Sequence, residues 1–247
     1  MTLCIHVATK NALIVCSDGR TESFIRKDDG SDEIINIDYN NVKSFVYNDV
    51  IISFAGTSIS FENRTRHFVD FFDNLYDISP DKFNIRELPS YLVYMLWGSD
   101  RYEFLDDGCD FLISGFSPKG KPHVYLVKGK LGEIINLSRF QDFGCIGITS
   151  LANSILSDLI TSELQTESVL KILELIVKTY CDYSKLCFDE MFDSEGNYSK
   201  SYSYHTSVGG KWIFYVLDFK TKKGKYVKFC SDGKIRYYSK LVQNEFK

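Results

Sequence analysis

The chain has no apolar run approaching the length of a membrane span, so no spanning helix is expected. It has no basic segment leading into an apolar core near Met1, so no secretory leader is expected either. Positive charge is not in excess. The 29 Lys and Arg against 33 Asp and Glu leave a formal net charge of -4, which argues against a chain-wide nucleic-acid footprint. There is no C-x-x-C. The seven cysteines (Cys4, Cys16, Cys109, Cys145, Cys181, Cys187, Cys230) are scattered and odd in number, and half of them sit in apolar runs, as buried free thiols do. His6, His67, His123 and His205 lack metal-ligand spacing, so no metal is expected. The stretch "SVGGKW" lacks the full glycine spacing of a phosphate loop and does not open a helix. No repeat and no linker divides the 247 residues, which are read as one domain over 1–247. The expectation is a reduced, cytoplasmic protein that uses no cofactor, with ordinary globular composition.

What is present is a run of strand pairs and helix pairs. Residues 2–8 and 12–18 read as a hairpin around Lys10-Asn11. The acidic, Asn-rich stretch 27–41 reads as a loop or irregular hairpin, and 42–47 with 50–55 as a second strand pair. Phe61, Phe68, Phe71, Phe72 and Leu75 recur at helical spacing and predict a helix over 58–76, with another over 86–98. Strands return at 110–116, 122–128, 132–137 and 143–147. Two further helices are predicted, one capped by Ser150 and carrying Leu151, Ile155, Leu156 and Leu159, the other carrying Val169, Ile172, Leu173, Ile176 and Tyr180. A polar loop over 190–203 precedes strands at 206–218, 225–230 and 234–239. Paired strands with paired helices predict an α+β fold of two stacked, mainly antiparallel sheets between helix layers, rather than βα units.

The first hairpin carries the chemistry. If it is symmetric about Lys10, Thr2 lies opposite Asp18, and directly opposed residues hold their Cβ atoms about 4.5–5.5 Å apart. Met followed by a small residue is a typical context for Met removal. Removal leaves Thr2 with a hydroxyl and a free α-amine, whose ordinary pKa of about 7.7–8.0 suits a general base. An N-terminal Thr activated by its own amine is a recognised nucleophile.

Several stretches agree, in order, with one family. "TLCIHVATKNALIVCSDGRT", "YNDVIISFAGT", "DFLISGFSPKGKPHVYLV", "FGCIGITSLANSIL" and "HTSVGGKWIFYVL" together resemble the proteasome β-type subunits, N-terminal nucleophile hydrolases that include the bacterial Anbu-type subunits. Residues 27–41, 96–108 and 185–203 have no clear counterpart. The resemblance implies an αββα four-layer sandwich and a ring-forming threonine peptidase acting on peptides or proteins. It implies Thr2 as nucleophile and Asp18 as the carboxylate that orients a lysine, for which Lys43 is the candidate, by its interval to Ala55-Gly56, and Lys27 the rival. It implies Gly56 as the oxyanion-hole N–H, Ser207 as the contact to the terminal amine, and Thr21 and Phe54 on the substrate side, with Phe54 at the pocket floor. Its implied partners are further copies in a ring or stacked array and other proteasome-like subunits, with the aromatic-rich 58–108 as a contact surface; neither nucleic acid nor membrane is implied.

Two positions depart from the pattern. Ile148 stands in Gly147-Ile148-Thr149-Ser150 where the family has a serine, and Tyr204 stands where it has an aspartate. Both changes remove polar support from the amine. A chain that kept Met1 would have no free amine on Thr2. Two alternatives therefore stay open: an inactive structural subunit of the same fold, and a small-molecule amidohydrolase of the N-terminal nucleophile class. Taken singly, Asp18 is an ordinary turn residue, and Cys4 and Cys16 are packing residues with no activating neighbour in the sequence.

Overall fold

The computed structural model describes residues 3–9, 12–19, 21–38, 42–56, 59–61, 64–66, 68–97, 109–139, 143–147, 212–218, 224–229 and 235–238. The first half of the chain forms β1 (Leu3–Ala8), β2 (Ala12–Ser17), β3 (Thr21–Arg26), β4 (Asp32–Asp38), β5 (Ser44–Tyr47), β6 (Val50–Gly56), β7 (Ile59–Phe61) and β8 (Arg64–Arg66). Helices α1 (Phe68–Ile78) and α2 (Leu88–Trp97) follow. The remainder forms β9 (Cys109–Phe116), β10 (Pro122–Lys128), β11 (Glu133–Asn136), β12 (Phe143–Gly147), β13 (Trp212–Asp218), β14 (Gly224–Phe229) and β15 (Ile235–Tyr238).

A six-stranded sheet runs in the order β12-β1-β2-β13-β14-β15, and a five-stranded sheet in the order β11-β10-β9-β6-β5. Among the described residues every strand pairing is antiparallel. Side-chain alternation on β6 separates the layers. Ile51 and Ala55 join Cys4, Ala8, Leu13 and Val15 of the first sheet in one apolar cluster. Val50 and Ile52 point the other way and pack with Phe71, Phe72 and Leu75 of α1 and Leu88, Leu92 and Leu96 of α2. The class is α+β: two stacked antiparallel sheets, with α1 and α2 on the outer face of the five-stranded one. β1 and β2 are buried on both faces along their whole length. Among the described residues no helix is long and apolar enough to cross a membrane.

The acidic stretch 27–41 supplies the turn and second strand of the hairpin β3–β4, whose first strand, Thr21–Arg26, precedes it and carries a register shift between Ser23 and Phe24. The pairs β5–β6 and β9–β10 and strands β11 and β12 fall where periodicity placed them. Asn84 Oδ1 accepts the Arg86 and Glu87 N–H groups at 3.0 and 3.1 Å just ahead of α2. Two expectations are corrected. The helix predicted over 58–76 begins only at Phe68; its first part is the short hairpin β7–β8. Phe61 shared the helical spacing by coincidence, while β-branched Ile59 and Thr65 favour extended backbone. The first hairpin is not symmetric about Lys10. Thr9 N–H donates to Ala12 O at 2.8 Å, which closes a two-residue connection and moves the register by one. Cys4 therefore faces Ser17 and Ile5 faces Cys16, and continuing that register puts Leu3, not Thr2, opposite Asp18. The helices predicted between 150 and 180 and the loop 190–203 lie outside the described residues.

Candidate functional site

The site grows from the end of that hairpin. Asp18 follows β2, and its N–H donates to Leu3 O at 3.2 Å, extending the ladder by one residue. Leu3 N–H does not complete the exchange with backbone but donates to Asp18 Oδ1 at 2.9 Å. Lys43 Nζ donates to the same oxygen at 2.9 Å. The ion pair is enclosed, with Asp18 0% and Lys43 2% exposed. A pair so far from water feels a stronger mutual field than a surface pair does, and both ions need their hydrogen-bond partners to be tolerated there.

β5 and β6 deliver the lysine. Lys43 precedes β5, and its C=O accepts the Phe54 N–H at 3.2 Å, one rung beyond the pair Ser44–Ser53. Phe54 C=O in turn accepts the Cys4 thiol at 3.6 Å, which ties β6 to β1 across the two sheets. Two residues on, β6 ends at Gly56, exposed and at φ 137°, a backbone conformation that side chains rarely adopt. On the other side of β1, Leu3 faces Gly147, the exposed last residue of β12, at φ 92°. The start of β1 and the ends of β6 and β12 thus gather at one edge of the stacked sheets, above a buried cation.

Of the residues singled out from sequence, the structure brings together Asp18 and Lys43. Lys27 lies in the β3–β4 turn, half exposed, and pairs with Glu33 at 2.9 Å. Phe54 is half-buried and stacks on Phe45 with ring centroids 5.8 Å apart. Thr21 opens β3. Thr2 and Ser207 lie outside the described residues, as do Ile148 and Tyr204. Burial, and next the Asp18 charge, push the Cys4 thiol up, and burial pushes Cys145 up to about 12, so neither is poised as a thiolate. Among the described residues no three His, Cys, Asp or Glu side chains are grouped to hold a metal.

A polar cluster between the sheets was not foreseen. His6 on β1 is fully buried, and its Nδ1 lies 2.8 Å from Ser114 Oγ on β9 while its Nε2 lies 2.6 Å from Ser53 Oγ on β6. Ser53 Oγ is also 2.6 Å from Ser44 Oγ on β5. The sequence did carry a signal, because Ser53 and Ser114 are hydroxyls at inward positions of largely apolar strands. Burial pulls His6 down to about 3, so the folded protein holds a neutral imidazole that offers one donor and one acceptor.

An acid dependence follows from this depression. Below its ordinary value of about 6.5 the unfolded chain binds a proton on His6 that the folded protein refuses. Stability from this group is complete above that value and falls as pH drops toward about 3. Urea titrations between about pH 6 and pH 4 are expected to show a component of about tenfold in the folding constant per pH unit that His6→Phe removes. Parallel profiles for the two proteins would refute a neutral, buried His6.

Neither a scan against protein-family models nor a search of curated proteins finds a match to this chain.

Proposed function

We propose that the protein is a threonine-type peptidase of the proteasome β-like class, acting on peptides or proteins through Thr2 once Met1 has been removed. The observation that carries this reading is the buried Asp18–Lys43 pair hydrogen-bonded to the N–H of Leu3, the residue joined directly to Thr2. A fixed cation at that point favours an alkoxide-like oxygen on the preceding residue, and an N-terminal Thr supplies its own amine as base. In this reading Thr2 Oγ attacks a carbonyl and its proton passes to the α-amine, directly or through water. The Gly56 N–H receives the developing oxyanion, and Ser207 steadies the amine. Thr21 and Phe54 line the substrate side. An ester on Thr2 is then released by water activated by the same amine. The chemistry calls for no cofactor.

The same reading gives the architecture as αββα. Its support is the burial of both faces of β1 and β2, which requires cover on the side away from the five-stranded sheet. It also gives a cytoplasmic homo-oligomer, a ring or stacked array that other proteasome-like subunits can join. The aromatics of α1 mostly serve the core, but Ile78 and Tyr94 are exposed, as a subunit contact requires. The loss of polar residues at Ile148 and Tyr204 favours a second reading, an inactive structural subunit.

Intact mass followed by a threonine-directed epoxyketone separates the two. The peptidase is expected to lack Met1, to gain one probe mass on Thr2, and to cleave unstructured peptides. A protein that has lost Met1, stays folded, takes no probe and cuts nothing is the structural subunit. Cleavage of small amides without cleavage of peptides would instead identify the amidohydrolase.

A further inference from the structure

We infer that His6 is a positioning residue for this site: through Ser53 and Ser44 it fixes where β5 and β6 stand against β1. The inference rests on the peptidase reading for its catalytic consequence, but its structural content is separable. Around His6 the two sheets meet through apolar side chains, Cys4, Leu13 and Val15 against Ile51, Leu112 and Val124 among them. Apolar contact is non-directional, so it sets the spacing of the sheets more firmly than their lateral register. Hydrogen bonds are directional. The contacts from His6 to Ser114 and Ser53, and from Ser53 to Ser44, join β1, β9, β6 and β5 at one buried point.

That point lies on three of the strands that carry the site, β1, β5 and β6. His6 stands three residues along β1 from Leu3, Ser53 three residues before Gly56 on β6, and Ser44 next to Lys43 on β5. A lateral slip of the five-stranded sheet would move Lys43 and Gly56 together relative to the start of β1. Imidazole suits the task because it is rigid and presents two nitrogens on opposite sides, so one ring reaches both serines. Its other tie, to Ser114, leads to β9, which carries none of the proposed site residues.

This difference supplies the test. Ser114→Ala removes one contact, to His6, and Ser53→Ala removes two, to His6 and to Ser44, but in the folded proteins a purely structural role predicts equal kcat values. Positioning predicts unequal ones. Ser53→Ala is expected to lower kcat for peptide cleavage about 10–100-fold with KM little changed, the scale of a small misplacement of reacting groups. Ser114→Ala is expected to keep kcat within about twofold at a comparable melting temperature, and Ser53→Thr, which restores a hydroxyl, to recover much of the loss. Equal losses in the two alanine variants, or none in Ser53→Ala, overturn the inference. If the wild-type protein cleaves no peptide, the peptidase reading fails by itself, and the 15N resonance of the Lys43 ammonium decides the inference. A signal displaced in Ser53→Ala but not in Ser114→Ala supports it, and the same response in both rejects it.

Discussion

Lys43→Met is expected to cost the fold about 3–5 kcal/mol, the usual consequence of removing one partner of a buried ion pair. Methionine keeps the length and apolar character of the lysine stem, so little packing is lost. What remains is a carboxylate on Asp18, 0% exposed, that has lost the ammonium 2.9 Å from its Oδ1. The penalty is thus mainly the lost attraction between Asp18 and Lys43. Adding Asp18→Asn to Lys43→Met is expected to return a large part of the stability, because a neutral amide needs no counter-ion. Urea titrations of the two single variants and the double variant form a cycle that isolates the pair. A Lys43→Met protein as stable as wild type would show that Asp18 is not held as a buried anion. In the proposed mechanism turnover does not return with stability. Neither Lys43→Met nor the double variant keeps the Lys43 ammonium, so both are expected to be inactive.

The residues that make this pair were legible in the sequence, but their geometry was only partly so. Asp18 after the first hairpin and Lys43 ahead of the strand ending in Ala55-Gly56 could both be named. Lys43 was the better fit by its interval to Ala55-Gly56, but that interval alone did not eliminate Lys27, because the shape of the stretch that carries Lys27 could not be read. The structure shows why Lys27 does not reach the site: β3–β4 carries it into an exposed turn beside Glu33. Hairpin register escaped the sequence for a subtler reason. A Lys10-Asn11 turn fits connections of different length, and a change of one residue exchanges Thr2 for Leu3 opposite Asp18. The consequence for the site is modest, since Leu3 brings its backbone N–H rather than its side chain to the carboxylate. The β7–β8 hairpin was hidden by aromatics that happened to fit a helical repeat, and β-propensity over three-residue strands is too weak a signal to compete. His6 could be read as a core histidine, but its partners could not. Ser44 and Ser53 become neighbours only when β5 pairs with β6, Ser114 enters the same sheet only when β9 pairs with β6, and His6 meets them only when the two sheets stack.

Thr2→Ala is the substitution with the largest expected effect on activity. It removes a hydroxyl and a methyl from the residue ahead of β1, so the fold and any assembly are expected to survive unchanged. Turnover is expected to fall to background, because in the proposed mechanism no other group supplies the nucleophile. Thr2→Ser keeps both hydroxyl and amine and is expected to retain measurable cleavage. Gly56 offers a graded comparison. Its N–H is the proposed oxyanion donor, and loss of one such donor typically lowers kcat about 10²–10³-fold, which leaves activity that can still be measured. Any side chain at φ 137° strains the backbone, so a Gly56→Ala protein is expected to fall between Thr2→Ser and Thr2→Ala. Single-turnover cleavage of a fluorogenic peptide by the four proteins, each checked for loss of Met1 by mass, reads this order directly. The ester on Thr2 accounts for the order: Thr2→Ala cannot form it, Gly56→Ala forms it slowly, and Thr2→Ser forms it on a primary hydroxyl. Cleavage by Thr2→Ala at the wild-type rate would move the nucleophile elsewhere, and the buried Asp18–Lys43 pair would then be an ion pair of the fold alone.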